Sequence, residues 1–212
     1  MKTSHRGMVR FDKDLQSKCK KHKIKIITTN SATIPYAGNA DMPVSGYFDS
    51  TNGELAVAKG KDVIEWLEIL IHESCHLDQF VEGAAVWNSN YYGEVDGSAI
   101  VDLWLNKIVE LKPKILDEMI KKIILLERDC DMRAIEKIKK YGLDDIIDLE
   151  RYARKSNAYH LSYVAVKNLR KWNKPKNAAY QVEEVLMCFS NKMSKGFTVT
   201  EEQFRLLEKH CY

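Results

Sequence analysis

Apolar positions along the chain recur at two spacings, and the changes between them mark out the elements. Phe11, Leu15 and Cys19 stand four apart in a lysine-rich stretch, which predicts a first helix with a narrow apolar edge. Residues 23–29 alternate and are rich in β-branched side chains, so a strand is expected there. Residues 30–43, with Pro35, Gly38 and Pro43, read as a loop. Residues 46–50 and 54–58 flank Asn52-Gly53, a strong hairpin turn signal.

The helical period returns at Val63 and continues past Leu77, with Ile64, Leu67, Leu70 and Ile71 among its apolar positions. Asp62 is the expected N-cap, and Glu65, three residues on, predicts a capping box. Residues 88–97 read as a loop. Residues 99–111 read as a strongly apolar helix ending near Pro113. A long helix follows over 114–140, stopped by a glycine C-cap at Gly142. Further helices are expected at 144–155, 157–172 and 178–193, and a last one at Thr200, where Gln203 completes a second capping box. The fold class expected is α+β: a small sheet packed on the helix that begins near Val63, with a mostly helical C-terminal half. The division expected is 1–143 and 144–212, the second packed on the first as one folding unit.

The chemistry lies in His72-Glu73-Ser74-Cys75-His76, an HExxH motif inside that apolar helix. Residues four apart lie one turn above each other, so both imidazoles can reach one metal ion. Glu73 sits about 100° round the helix, where a carboxylate can approach a metal-activated water without being a ligand. Two His ligands and an adjacent general base make water a nucleophile at neutral pH. The bland alternative is an amphipathic helix with two solvated or core-packed histidines. Against it, two imidazoles and a carboxylate in so apolar a helix are costly unless something satisfies them, and a metal does.

A third ligand is sought on the long helix. Ile120, Ile123, Ile124, Glu127, Cys130, Asp131, Ala134, Ile135 and Ile138 form one broad face. Glu127 and Asp131 are four apart on it, so Glu127 is the candidate ligand and Asp131 the candidate acceptor for a ligand imidazole N–H. The alternative pairs these acids with Arg128 or Arg133 on a wet edge. Cys75 and Cys130 read as small packing residues where the two helices touch, with metal ligation the lesser alternative.

HExxH followed on a later helix by Glu127-x-x-x-Asp131 resembles the gluzincin metallopeptidases, notably the CAAX-prenyl-protease and heat-shock-protease branch. The resemblance implies a Zn2+ cofactor held by His72, His76 and Glu127, with Glu73 as general base and Asp131 in support. It also implies that a sheet edge ahead of the motif helix pairs with an extended peptide. Two departures stand out: Asp78 occupies a position where zincins usually carry an apolar residue, and the membrane spans of that branch are missing. The remainder is similar to small metallopeptidase-like proteins of phages and bacteria. An oxyanion donor is sought in Tyr159, His160 and Tyr163, with His160 and Tyr163 on one face; ordinary amphipathic residues are the rival account. The tryptophans at 66, 87, 104 and 172 read as core.

Composition adds bounds. In 212 residues, 45% hydrophobic and 30% charged content is ordinary for a globular protein. A net charge of +3 argues against an obligate nucleic-acid binder. The imbalance is local: residues 1–25 hold nine Lys or Arg against Asp12 and Asp14, which reads first as a solvated helix and second as an arm for anionic partners. No apolar run approaches a membrane span and the N-terminus lacks a signal-like apolar region, so a cytoplasmic protein without membrane contact is expected. Five cysteines without framework spacing suit a reducing compartment. The function expected is peptide or protein hydrolysis by a zinc-activated water. The alternative is an interaction protein of zincin fold, its zinc structural or absent, with a basic N-terminal arm that contacts nucleic acid.

Overall fold

A computed structural model of the chain describes residues 2–172 and 178–211. It is an α+β protein in two compact units that interleave along the chain. The first is residues 1–84 with 130–148, and the second is 85–129 with 149–212.

In the first unit, helix α1 (Lys2–His22) buries Phe11, Leu15 and Cys19, as their spacing predicts. It turns into strand β1 (Lys25–Thr29) through Lys23, which adopts φ 58°. The presumed loop contains a short antiparallel hairpin, β2 (Ile34–Tyr36) with β3 (Asn39–Val44), which two prolines and an irregular register disguise. Strands β4 (Gly46–Asp49) and β5 (Glu54–Ala58) form the expected hairpin, with Gly53 in the left-handed region at its turn.

The main sheet has the order β1-β5-β4, with β1 and β5 parallel and β4 antiparallel to β5 at one edge. The central strand is covered on both faces, so Leu55, Ala56, Val57 and Ala58 are all fully buried. One face, with Ile27, Tyr47, Ala56 and Ala58, takes the β2–β3 hairpin through Ile34 and Val44. The other receives α2 (Val63–Glu82), where Phe80 meets Phe48 at 5.8 Å between ring centroids.

Helix α2 starts where Asp62 accepts a hydrogen bond from the Ile64 backbone and stops at Gly83, left-handed at φ 62°. The first capping box does not form as expected, because Glu65 is taken by Lys61 at 2.7 Å. The box at Thr200 and Gln203 does form.

The second unit opens with α3 (Ala85–Ser89) and a two-residue hairpin, β6 (Tyr91–Tyr92) with β7 (Val95–Asp96). Asp96 then caps α4 (Gly97–Leu105), which ends six residues earlier than the apolar pattern suggests. Helix α5 (Pro113–Tyr141) gives residues up to Asp129 to the second unit and the rest to the first. The helices expected at 144–155 and 157–172 are one, α6 (Leu149–Leu169), unbroken at Ser156-Asn157. Instead of a helix over 178–193 there is a 3-10 turn, Ala179–Gln181, and a single turn α7 (Glu183–Leu186). Helix α8 (Glu201–Lys209) closes the unit. Tyr163 of α6 joins a core cluster with Trp104, Met119 and Ile123, while Leu161 and Ala165 join another with Leu186 and Leu207. Of the four tryptophans only Trp104 is buried; Trp66 and Trp87 are half-buried and Trp172 is exposed.

Candidate metal centre

The HExxH residues lie in the middle of α2. The ring centroids of His72 and His76 are 4.8 Å apart, nearly perpendicular, as two imidazoles one turn apart should be. His72 Nδ1 lies 2.8 Å from Asp131 Oδ1, and His76 Nδ1 lies 2.8 Å from Gln79 Oε1. With an acceptor at each Nδ1, the proton belongs there and the lone pair belongs on Nε2. That tautomer leaves Nε2 free to ligate a metal, and a carboxylate at Nδ1 strengthens a ligand ring's basicity.

Cys130 completes the group: ligand atoms of His72, His76 and Cys130 all lie within 4.8 Å of one another, and the three could hold a metal ion. The thiol sits on the Nδ1 side of His72, 3.6 Å from that nitrogen, and donates to the His72 carbonyl at 3.2 Å. It also shares a hydrogen bond with Cys75, and both cysteines are fully buried. They do pack where α2 and α5 touch, but Cys130 stands closer to the imidazoles than its spacing alone suggests.

Glu73 is half-buried and rests over the edge strand. A Cβ at Gly46 would come within 3.3 Å of Glu73 Cγ, 2.6 Å of Ile69 Cγ2 and 2.9 Å of the Ala56 carbonyl oxygen. Glycine at that position lets α2 approach β4 and brings the HExxH carboxylate to the sheet edge.

Asp78 is buried rather than exposed. Lys18 of α1 reaches it at 2.5 Å and Lys137 of α5 at 2.8 Å, and Lys137 also donates to Ser74 at 2.7 Å. Burial alone would raise the Asp78 carboxyl, but the charge and hydrogen bonds of Lys137 and Lys18 hold it below its ordinary value. Asp78 thus ties α1, α2 and α5 together.

The remaining sequence candidates belong to the second unit. Glu127 is 7% exposed. Arg128 donates to the Lys195 and Gly196 carbonyls, and in the first unit Arg133 reaches Glu82. Burial first, and the Glu127 charge second, push the Tyr159 and Tyr163 phenols well up. The two hydroxyls are 3.4 Å apart, and His160 is buried beside them on α6. The structure therefore groups His72, His76, Asp131 and Cys130 in one unit, and Glu127, Tyr159 and Tyr163 in the other.

Gln79, Lys137 and Gly46 were not singled out in the sequence. Gln79 had a signal, being three residues beyond His76 on the same face. An acid at 78 on a buried helix also asks for a cation, though only the fold says which. All five cysteines are free, and no helix among the described residues is long and apolar enough to cross a membrane. No protein-family model, curated protein or solved structure matches the chain.

Proposed function

We propose that this protein is a zinc-dependent peptidase of zincin-like build, with His72 and His76 as metal ligands and Glu73 as general base. The observation that carries the reading is the pair of imidazoles on α2, each with an acceptor at Nδ1. Bound there, zinc would polarise water and the scissile carbonyl. Glu73 removes a proton from the attacking water and delivers it to the leaving nitrogen as the C–N bond breaks. Asp131 and Gln79 keep both rings turned, which spares the reorganisation a free imidazole would need. Strand β4, paired only with β5 among the described residues, offers its outer edge to an extended peptide. Tyr163 and His160 are the proposed oxyanion donors; a phenol pushed well up stays protonated and able to donate.

Glu127 is the third ligand the ExxxD spacing nominates, and its burial on an apolar stripe supports it. The grouping of Cys130 with the two imidazoles favours a second reading, a structural site that His72 would enter through the Nδ1 beside Cys130, bracing α2 against α5 in a non-catalytic interaction protein. One set of measurements separates them. Metal content and Co(II) spectra are compared for wild type, Glu127→Ala and Cys130→Ser, with cleavage of a mixed peptide library followed in wild type and Glu73→Gln. A peptidase loses metal with Glu127→Ala, shows no thiolate-to-cobalt band, and keeps metal but loses cleavage with Glu73→Gln. A thiolate band abolished by Cys130→Ser, with no cleavage by the wild type, establishes the structural site instead.

A further inference from the structure

We propose that the outer face of α1, extended by the end of α5, is a docking surface for the phosphate backbone of double-stranded nucleic acid. The overall charge conceals this face. Residues 1–25 carry nine basic side chains and two acidic ones, whereas the whole chain is only +3, so everything after them is net negative. At 100° per residue, Arg6, Arg10, Lys13, Ser17 and Lys20 fall within an arc of about 80°. Those residues are all exposed and no acid lies among them. Of the two acids of the helix, Asp12 holds Gln16 at 2.7 Å, and Asp14, at the border of the face, accepts from Tyr141 at 2.8 Å.

Packing brings more cations to this face. Gly7 lies so close to the Tyr141 carbonyl that no side chain fits, and Phe11 meets the Tyr141 ring at 5.4 Å. The same ring takes the Arg10 guanidinium at 5.8 Å and the Lys140 ammonium at 5.0 Å. None of Arg6, Arg10, Lys13, Lys20, Lys139 and Lys140 has a carboxylate partner among the described residues.

Three physical arguments select the partner. A membrane-lying helix inserts its apolar stripe, but Phe11, Leu15 and Cys19 are already buried inside the unit. A protein interface is anchored by apolar or aromatic side chains, and on α1 only Val9 is large, apolar and exposed. A single strand stacks on exposed rings, whereas Tyr141 is 7% exposed. What is left is a rigid row of cations about 21 Å long from Arg6 to Lys20, which suits a regular array of phosphates and reads no base.

The test is fluorescence anisotropy of a labelled duplex of about 24 base pairs, titrated between roughly 50 and 200 mM salt. Four phosphate contacts predict a log–log slope of about −3.6 with salt, the same for unrelated sequences. The triple charge reversal Arg6→Glu, Arg10→Glu, Lys13→Glu should weaken binding at least about thirtyfold. The milder Lys13→Gln, Lys20→Gln pair, exposed and without partners, should reduce the slope by about two, with the circular dichroism spectrum unchanged. Glu73→Gln should bind as wild type, so this result stands apart from the peptidase reading. Absence of saturable binding, variants that bind like wild type, or tighter retention on anionic phosphatidylglycerol vesicles or polyglutamate than on the duplex would each overturn the proposal.

Discussion

Asp131 accepts from His72 across 2.8 Å, joining the middle of α2 to α5 through a carboxylate that is 3% exposed. An acid so placed orients the ring, fixes its tautomer and raises its basicity. Asp131→Asn keeps the shape but exchanges a charged acceptor for a neutral one. Zinc affinity, measured by chelator competition, is expected to fall about 10- to 100-fold while the fold persists. Unchanged affinity would remove Asp131 from the metal centre.

Gly46 carries a prediction about Glu73, the proposed general base. Its missing Cβ is the space that Ile69, the Ala56 carbonyl and Glu73 occupy, and a backbone oxygen at 2.9 Å cannot move aside cheaply. Gly46→Ala should cost about 1–3 kcal/mol by overpacking. Because Ile69 and then Glu73 are the side chains that must give way, the proposed peptidase should show kcat dropping more than KM rises, with metal content unchanged. Thermal denaturation and steady-state kinetics check the two halves separately.

Much of this was legible in the sequence where the signal was local. The left-handed Gly142, the Thr200 capping box, the Asn52-Gly53 turn and the Phe11–Leu15–Cys19 edge each depend on residues within one turn or hairpin. Asp131 was legible as well, because an acid on an apolar stripe needs a reason. What depended on distant partners was not. The β2–β3 hairpin was hidden by Pro35 and Pro43, residues that tertiary packing tolerates in strands outside the main sheet. Cys130 beside His72, and Lys137 beneath Asp78, arise from the way α2 and α5 meet, which no short window encodes. Ser156-Asn157 looked like a break between helices because its polarity has a tertiary cause.

Asn157 supplies that cause. From within α6, 1% exposed, its amide donates to the Ser190 and Lys192 carbonyls and accepts from the Ser194 backbone. One side chain thus replaces the backbone partners that residues 190–194 lack. Asn157→Ala should destabilise the second unit by about 1–2 kcal/mol, since it removes three part-buried hydrogen bonds. Hydrogen exchange should quicken at Ser194 before it does in the α6 backbone. Uniform quickening across the unit would mean that the segment is held by other means.

Tyr47 and Tyr141 bear on the alkaline stability of the first unit, beside the Cys19 thiol, which burial pushes up to about 11. Tyr47 is pushed up to about 12 by burial, then by its hydrogen bond to Glu54 at 2.9 Å. Tyr141 is likewise pushed up to about 12 by burial, then by its bond to Asp14. A phenol raised above its ordinary value of 10 favours the neutral form in the folded state. Its contribution to stability is therefore complete below pH 10 and disappears as pH climbs through about 12. Urea midpoints should hold between pH 7 and 9 and fall between 10 and 12, in step with phenolate absorbance. Tyr47→Phe should cost about 1 kcal/mol at neutral pH, because it loses one hydrogen bond, and should make the alkaline fall shallower. A fall of equal steepness in that variant would move the alkaline sensitivity away from Tyr47, to Tyr141 or to Cys19.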